Sequence, residues 1–456
     1  MGLRFITALW LAKLSIPVLK ITGHNGTDYP GSLAIRICPD FFQKIGKPET
    51  IIGVTGTNGK TTCANMLCDA FEAAGKKVLC NRYGSNIDTG LSTCLLKGAT
   101  LTGKAKFDTA VLEIDERSAV KVFPTITPKY MCVTNLFRDS IMRNGHPDYI
   151  AGILDANIPP ETKLVLNGDD LISGRIALKN DRVYYGIEKQ PTDVIECENL
   201  LNDMRICPIC GSKLVYDYRR YHHIGKAHCS KCDFKSPEYD YSGHDIDTDK
   251  QTIRIRDKEG DYEYHISNDS MFNIYNTCLV VALFRELGYK GEELGKIMEK
   301  VKIPDTRFNV QKSGSISVVT QLAKDKNALA VSRATDYVRK MPGHKKMFLL
   351  ISCYKDERHW SENTCWLYDC DFEMMNDPLM DQLIVTGPRA PDFYMRLLYA
   401  GIPEDKIFYE LDERKAAADF DLKKDDTVYI FCGIDAFDLV DDCRKIILKR
   451  AEDEGL

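Results

Sequence analysis

The chain has no apolar run long enough to span a bilayer, because Arg4, Lys13 and Lys20 interrupt the apolar segment 1–21. No small-residue cleavage site follows that segment, and position 6 is Ile6, not the Ser or Thr of a myristoylation signal. A spanning helix, a secretory leader and a myristoyl anchor are therefore not expected. The chain also has little net charge. Its 61 Lys and Arg against 66 Asp and Glu leave −5, which gives no global nucleic-acid footprint. It has no internal repeat and no low-complexity tract, so neither a repeat array nor a compositionally disordered region is expected. The expected location is the cytoplasm, with at most peripheral membrane contact at the inner face.

What is present is a globular balance, 44% hydrophobic and 28% charged, over 456 residues. That length predicts two or three domains. The 17 cysteines, in so large a chain, read as free thiols and metal ligands rather than disulfides. Ile6, Trp10 and Leu14 recur at helical spacing, which predicts an N-terminal helix whose apolar stripe packs on the protein's own core. The alternative is a surface helix touching membrane.

The most informative stretch is Gly53-Val54-Thr55-Gly56-Thr57-Asn58-Gly59-Lys60-Thr61-Thr62. It joins an apolar strand, Ile51-Ile52, to a helix over 63–74 that Gly75 stops. A glycine turn between strand and helix aims backbone N–H groups and a helix N-terminus at one point, and such a point attracts phosphate. Lys60 would reach the β- and γ-phosphates, and Thr61 would ligate Mg²⁺. Val54 stands where the strict P-loop has its first glycine. The competing reading, a chance glycine turn, fits the context less well. Beyond the loop, short apolar strands near 78–80, 109–114, 130–134 and 163–166 end in polar residues and alternate with helical stretches. This predicts a parallel α/β sheet with the site along its C-terminal edge. Glu113, in the acidic cluster with Asp115 and Glu116, is the second expected Mg²⁺ ligand. A solvated acidic turn is the plain alternative.

Cys207, Cys210, Cys229 and Cys232 have the spacing C-x2-C-x18-C-x2-C, which predicts a closed, structural zinc site. A redox role is the alternative, and His222, His223 or His228 could replace one thiolate. Arg219, Arg220 and Lys226, with Asp217 and Asp233 near, read as a solvated face rather than a phosphate-tracking patch. A helix is predicted over 271–287 and a linker over 303–307. A second α/β pattern follows, with strands near 317–322, 346–352, 382–386, 406–409 and 427–431.

The nucleotide loop, Met271-Phe272-Asn273-Ile274-Tyr275-Asn276, Asp305-Thr306-Arg307-Phe308 and Asn167-Gly168-Asp169-Asp170 resemble the Mur ligase family. The four-cysteine insertion, Tyr29-Pro30-Gly31, Asn135-Leu136-Phe137-Arg138-Asp139, the segment 365–373 and Thr386-Gly387-Pro388-Arg389 resemble its MurT branch, over nearly the whole chain. The resemblance implies a P-loop ATPase domain with an inserted zinc ribbon, then a smaller Rossmann-like α/β domain. The expected divisions are an N-terminal helix or arm over 1–48, the ATP-binding domain over 49–311 with the ribbon at about 203–236, and the C-terminal domain over 312–456. It implies ATP, Mg²⁺ and Zn²⁺, with Gly56, Thr57, Asn58, Gly59, Lys60, Thr61, Thr62, Asn273, Asn276 and Arg307 around the nucleotide. It also implies ATP-dependent amidation of the D-glutamate α-carboxylate of lipid II, through an acyl phosphate, with ammonia from a GatD-type glutaminase. Asn363 stands where that branch has an aspartate thought to complete the glutaminase's Cys-His pair, and Glu362 lies beside it. Lys324-Asp325-Lys326, Ser140 and Met142 also depart from the pattern. The alternatives are a divergent ligase using free ammonia or an amino acid, and a non-catalytic nucleotide-binding scaffold.

Overall fold

The computed structural model describes residues 2–82, 85–139, 146–267, 270–301, 308–323, 327–351, 364–433 and 436–456. The chain forms two compact units: one of residues 1–136, 147–198 and 202–303, the other of 137–146, 199–201 and 304–456.

The first unit is built on a sheet of nine strands. They are β1 (Thr50–Thr55), β2 (Val78–Cys80), β3 (Thr109–Glu113), β4 (Tyr130–Val133), β5 (Lys163–Asn167), β6 (Arg182–Ile187), β9 (Tyr241–Asp247), β10 (Thr252–Asp257) and β11 (Gly260–His265), in the order β11-β10-β9-β6-β5-β4-β1-β3-β2. The strands from β9 to β2 in that order run parallel, and β10 and β11 close the far edge antiparallel. Every residue of β4 is buried, as a strand covered by helices on both faces must be. The helix Met271–Glu286 is buried from Asn273 to Phe284, and its Phe284 packs on Phe71 of the helix Lys60–Ala73 with ring centroids 4.7 Å apart. A helix apolar all round has to be enclosed in this way.

The remaining two strands, β7 (Leu214–Tyr221) and β8 (Ile224–Cys229), form a separate antiparallel hairpin within the 203–236 insertion. The helices Tyr29–Ile37 and Asp88–Lys97 pack closely together. A Cβ on Gly31 would lie 2.0 Å from the Thr89 carbonyl oxygen, so only glycine permits the approach.

The N-terminal helix, Leu3–Ile21, forms as expected, but it presents a different face. Phe5, Ala8, Leu9 and Ala12 are buried, whereas Trp10 and Leu14 are 53% and 63% exposed. The helix is apolar on both sides, so spacing alone did not identify the inward face.

The second unit is a six-stranded sheet: β12 (Phe308–Ser313), β13 (Ile316–Leu322), β14 (Lys345–Leu350), β15 (Met380–Val385), β16 (Ile407–Tyr409) and β17 (Thr427–Cys432). The order is β12-β13-β17-β14-β15-β16, parallel except for the β12–β13 hairpin. Side chains alternate across the sheet. Phe348 therefore joins the cluster with Phe420 and Ile447, while its neighbour Leu349 joins the opposite cluster with Trp366 and Phe393.

Candidate nucleotide and metal sites

The glycine turn sits between β1 and the helix Lys60–Ala73, at the C-terminal edge of the parallel strands. Gly56 and Gly59 have φ of 127° and 86°, a region that side chains rarely adopt. At Gly59 a Cβ would lie 2.9 Å from Asn276 Oδ1, so the turn rests directly on the buried helix Met271–Glu286. The end of β4 holds the turn from the other side. Thr57 N–H donates to the Asn135 carbonyl at 2.7 Å, and Asn58 N–H donates to Asn135 Oδ1 at 3.1 Å. In return, Thr134 Oγ1 and Asn135 Nδ2 donate to the Asn58 carbonyl at 2.7 and 3.0 Å. The loop is thus fixed by its own carbonyls and amides. The leading N–H groups of the helix at Lys60, Thr61 and Thr62 have no carbonyl of their own helix to meet. Thr61 is exposed there. This donor set fits the phosphates of ATP.

Lys60 folds back over the turn. Its Nζ donates to the Gly56 carbonyl and, at 2.8 Å, to Glu116 Oε1. Glu116 is 3% exposed, and burial pushes its carboxyl above the ordinary range against the pull of Lys60. Glu116 was not among the expected site residues. The signal was in the acidic cluster, but choosing among its members needs the turn at Glu116–Ser118, which Asp115 caps by accepting from Arg117 N–H.

Glu113 lies opposite Val54 in the β1–β3 register, next to the start of the turn. Its Oε1 accepts from Asn86 Nδ2 at 2.9 Å, and Asn81 bonds both its backbone N–H and its carbonyl. A carboxylate fixed at the end of β3, and an exposed threonine at the start of the helix that follows the neighbouring β1, are donor types suited to Mg²⁺. Asn273 and Asn276 are both buried, with Asn276 Nδ2 3.4 Å from Asn273 Oδ1. Arg307 and Asn363 lie outside the described residues, as do Glu362, Ser140, Met142 and Lys324-Asp325-Lys326.

The four insertion cysteines converge. The Sγ atoms of Cys207, Cys210, Cys229 and Cys232 all lie within 4.8 Å of one another, with Cys207–Cys232 at 3.6 Å and Cys210–Cys229 at 3.4 Å. A tetrahedral zinc with Zn–S near 2.3 Å sets sulfur separations of about 3.8 Å. Each knuckle also turns backbone N–H groups onto sulfur. Ile209 donates to Cys207 at 3.4 Å, and Lys231 and Cys232 donate to Cys229 at 3.3 and 3.4 Å. The Ser212 hydroxyl and N–H lower the Cys210 thiol to about 6. The cluster fits zinc, and four thiolates leave no coordination position for water.

The other end of the hairpin corrects the expectation of a solvated basic face. The Arg220 side chain is 3% exposed and bonds Asp169 and Asp193 at 3.2 and 2.8 Å. Asp169 also accepts from Tyr275 at 2.5 Å and from Tyr239. Arg219 is buried with its guanidinium 3.6 Å from the Tyr216 ring centre, and Lys226 lies over Tyr239. Arg220 is buried because Asp169 and Asp193 partner it, Arg219 is buried on the Tyr216 ring, and Lys226 is only partly covered, distinctions that a charge count cannot show. His223 is on Asp170 at 3.2 Å, not at the thiolates. Asp170 also receives N–H bonds from Leu136 and Ile172 at 2.7 and 2.9 Å. The strand-end Asn167-Gly168-Asp169-Asp170 therefore anchors the ribbon to the main sheet.

These features agree with the comparisons. Residues 54–205 match the Mur ligase middle domain, and residues 325–437 match the MurT ligase C-terminal family. The chain is 31% identical to the lipid II isoglutaminyl synthase (glutamine-hydrolyzing) subunit MurT of Staphylococcus aureus strain COL, over 90% of this chain and 91% of that one. It is 30% identical to the Streptococcus pneumoniae MurT subunit over 89% of each. Among solved structures, a pseudomurein peptide ligase type C from Methanothermus fervidus superposes with a TM-score of 0.65 at 22% identity, covering 90% of this chain and 80% of that one. MurF ligase from Thermotoga maritima, in complex with ADP, gives 0.56 at 15% identity, covering 94% and 85%. These two show the fold. The family matches and the sequence relatives establish that the chain belongs to the Mur ligase family of ATP-dependent ligases, in its MurT branch.

Proposed function

We propose that the chain amidates the α-carboxylate of D-glutamate in the stem peptide of lipid II. One carboxylate oxygen attacks the γ-phosphorus of ATP, ADP leaves, and an acyl phosphate forms. Ammonia then attacks the acyl carbon, loses a proton, and expels inorganic phosphate to leave D-isoglutamine. Lys60 and the N–H groups of the turn stabilise negative charge on the transferring phosphoryl group. Mg²⁺, held by Thr61 and Glu113, would neutralise further charge on the phosphates. Glu116 keeps the Lys60 ammonium over the turn before nucleotide arrives. Asn273 and Asn276 brace the turn from below, and the likeness to Mur ligases supports a nucleotide-binding role for Arg307. Zinc on the four cysteines is structural and takes no part in the reaction.

We assign residues 1–48 to an N-terminal arm, 49–311 to the ATP-binding domain with its ribbon at about 203–236, and 312–456 to the C-terminal domain. A GatD-type glutaminase would supply ammonia. An exposed aromatic face on the second unit supports such a partner: Tyr399 and Tyr368 are 70% and 55% exposed, their rings 6.4 Å apart. Tyrosines of this kind anchor protein interfaces. Among the described residues no helix is long and apolar enough to cross a membrane. We place the reaction on the cytoplasmic side, where ATP and a lipid-linked acceptor meet.

The observation that carries the reading is the Lys60–Glu116 pair over a fixed nucleotide turn, in a chain matching MurT relatives over nine-tenths of its length. Asn363 favours a second reading, a ligase that uses free ammonia. Mass spectrometry of the stem peptide separates them, with ATP, Mg²⁺ and lipid II supplied to both arms. One arm receives ammonium and the other receives glutamine with the partner. Amidation in both arms establishes the coupled enzyme. Amidation with ammonium alone establishes the second reading. Amidation in neither arm contradicts both.

A further inference from the structure

The helix Leu3–Ile21 has two apolar faces and a core for only one of them. Phe5, Ala8, Leu9 and Ala12 pack inward. On the opposite side Leu3, Trp10, Leu14, Val18 and Ile21 are 84%, 53%, 63%, 59% and 86% exposed. At 100° per residue these five, with Leu11, fall within an arc of about 100°. Scattered exposed leucines are ordinary, but a continuous stripe along five turns marks a contact surface.

The charges flanking this stripe identify what covers it. The helix contains Arg4, Lys13 and Lys20 and no acidic residue. Arg4 borders the stripe on one side, and Lys13 and Lys20 border it on the other. Lys20 lies close enough to Lys97 for their charges to interact, as Lys13 does to Lys106. Leu101, 69% exposed, extends the apolar surface, and its carbonyl accepts from Trp10 Nε1 at 2.9 Å. The indole N–H is therefore satisfied by the protein, while the ring faces outward.

The geometry points to this face as a docking surface for an anionic lipid bilayer, with the helix lying in the interface plane. Apolar side chains enter the headgroup boundary, and the exposed ammonium groups of Lys20, Lys97 and Lys106 meet lipid phosphates, while Lys13 Nζ stays on the Leu96 and Ala99 carbonyls at 2.6 and 2.8 Å. A tryptophan suits that depth. Docking serves the proposed reaction only if the acceptor is lipid-linked, but the surface stands on its residues alone.

The test uses the full chain and vesicles containing no acceptor: phosphatidylglycerol with phosphatidylethanolamine, against phosphatidylcholine alone. The native chain sediments with the anionic vesicles, less so in high salt and less with phosphatidylcholine. The double substitution Leu14→Glu and Val18→Glu, at exposed positions, lowers binding by about tenfold or more. Both proteins amidate a short-chain, water-soluble lipid II analogue equally. The inference is overturned if the native chain stays in the supernatant or if the variant sediments as well as the native chain. A native dimer that the substitutions convert to monomer would overturn it too, giving the face to a second copy. Failure of both proteins to amidate the analogue would contradict the reaction, while the sedimentation result would still decide the surface.

Discussion

At the scale of single residues, Lys60 was legible because glycine-turn, lysine and threonine occur in one short segment between a strand and a helix. Glu116 was not, because three acids share a four-residue stretch and only the turn decides which one reaches the lysine. Lys60→Ala is expected to lower kcat by about 10²–10³, the loss typical of removing a charge-stabilising donor. Glu116→Gln separates function from stability. A buried carboxyl with a raised pKa costs stability as pH rises through that value, so the substitution leaves the Tm at pH 7 nearly unchanged. It lowers activity by displacing Lys60, and a thermal melt beside a kcat measurement checks both.

Asp170 behaves oppositely. Burial works to raise its carboxyl, but the hydrogen bond and charge of His223, with donors from Leu136 and Ser173, hold it below the ordinary range. Its contribution is present above the unfolded carboxylate value, about 4, and is lost as pH falls through the depressed folded value. Asp170→Asn should cost roughly 3–5 kcal/mol at neutral pH and flatten the acid limb of stability against pH, read by denaturant unfolding.

At the scale of elements, the parallel strands were readable where buried apolar runs end in polar residues, as in β3, β4 and β5. β6, β9, β10 and β12 escaped because charged or tyrosine side chains sit among their apolar positions, so no clean run appears. The cysteine spacing gave the ribbon, but not its second anchor. That anchor is a buried network of Arg220, Asp169, Asp193 and tyrosines, and such residues read as solvated until their partners are known. Two ends fix one hairpin, so loss of either should be felt at the other. Cys229→Ser, or chelation of the native chain, is expected to lower the Tm by several degrees. It should also loosen hydrogen-exchange protection at β7–β8 before the nucleotide sheet. Unchanged protection after chelation would contradict a structural metal.

At the scale of the whole molecule, two α/β units were legible from the sequence because each repeats the alternation of strands and helices. The inward face of the N-terminal helix was not, since both its faces are apolar and only packing distinguishes them. The second unit's aromatic face predicts a partition of activities. Tyr399→Arg is expected to weaken association with a glutaminase partner by about tenfold. Glutamine-dependent amidation should fall with it, while ammonium-dependent amidation stays intact. An equal fall in both would place Tyr399 in the fold rather than at an interface.

The central claim is that the turn at Gly56–Lys60 activates a carboxylate by phosphorylating it. The most direct measurement supplies a lipid II acceptor labelled with oxygen-18 in the D-glutamate α-carboxylate, with ATP, Mg²⁺ and ammonium. Mass spectrometry then reads the label in the released phosphate. The account predicts one labelled oxygen in phosphate for each amide formed, with both products slowed together by about 10²–10³ in Lys60→Ala. Amide formed with unlabelled phosphate, or phosphate released with no amide, would contradict it.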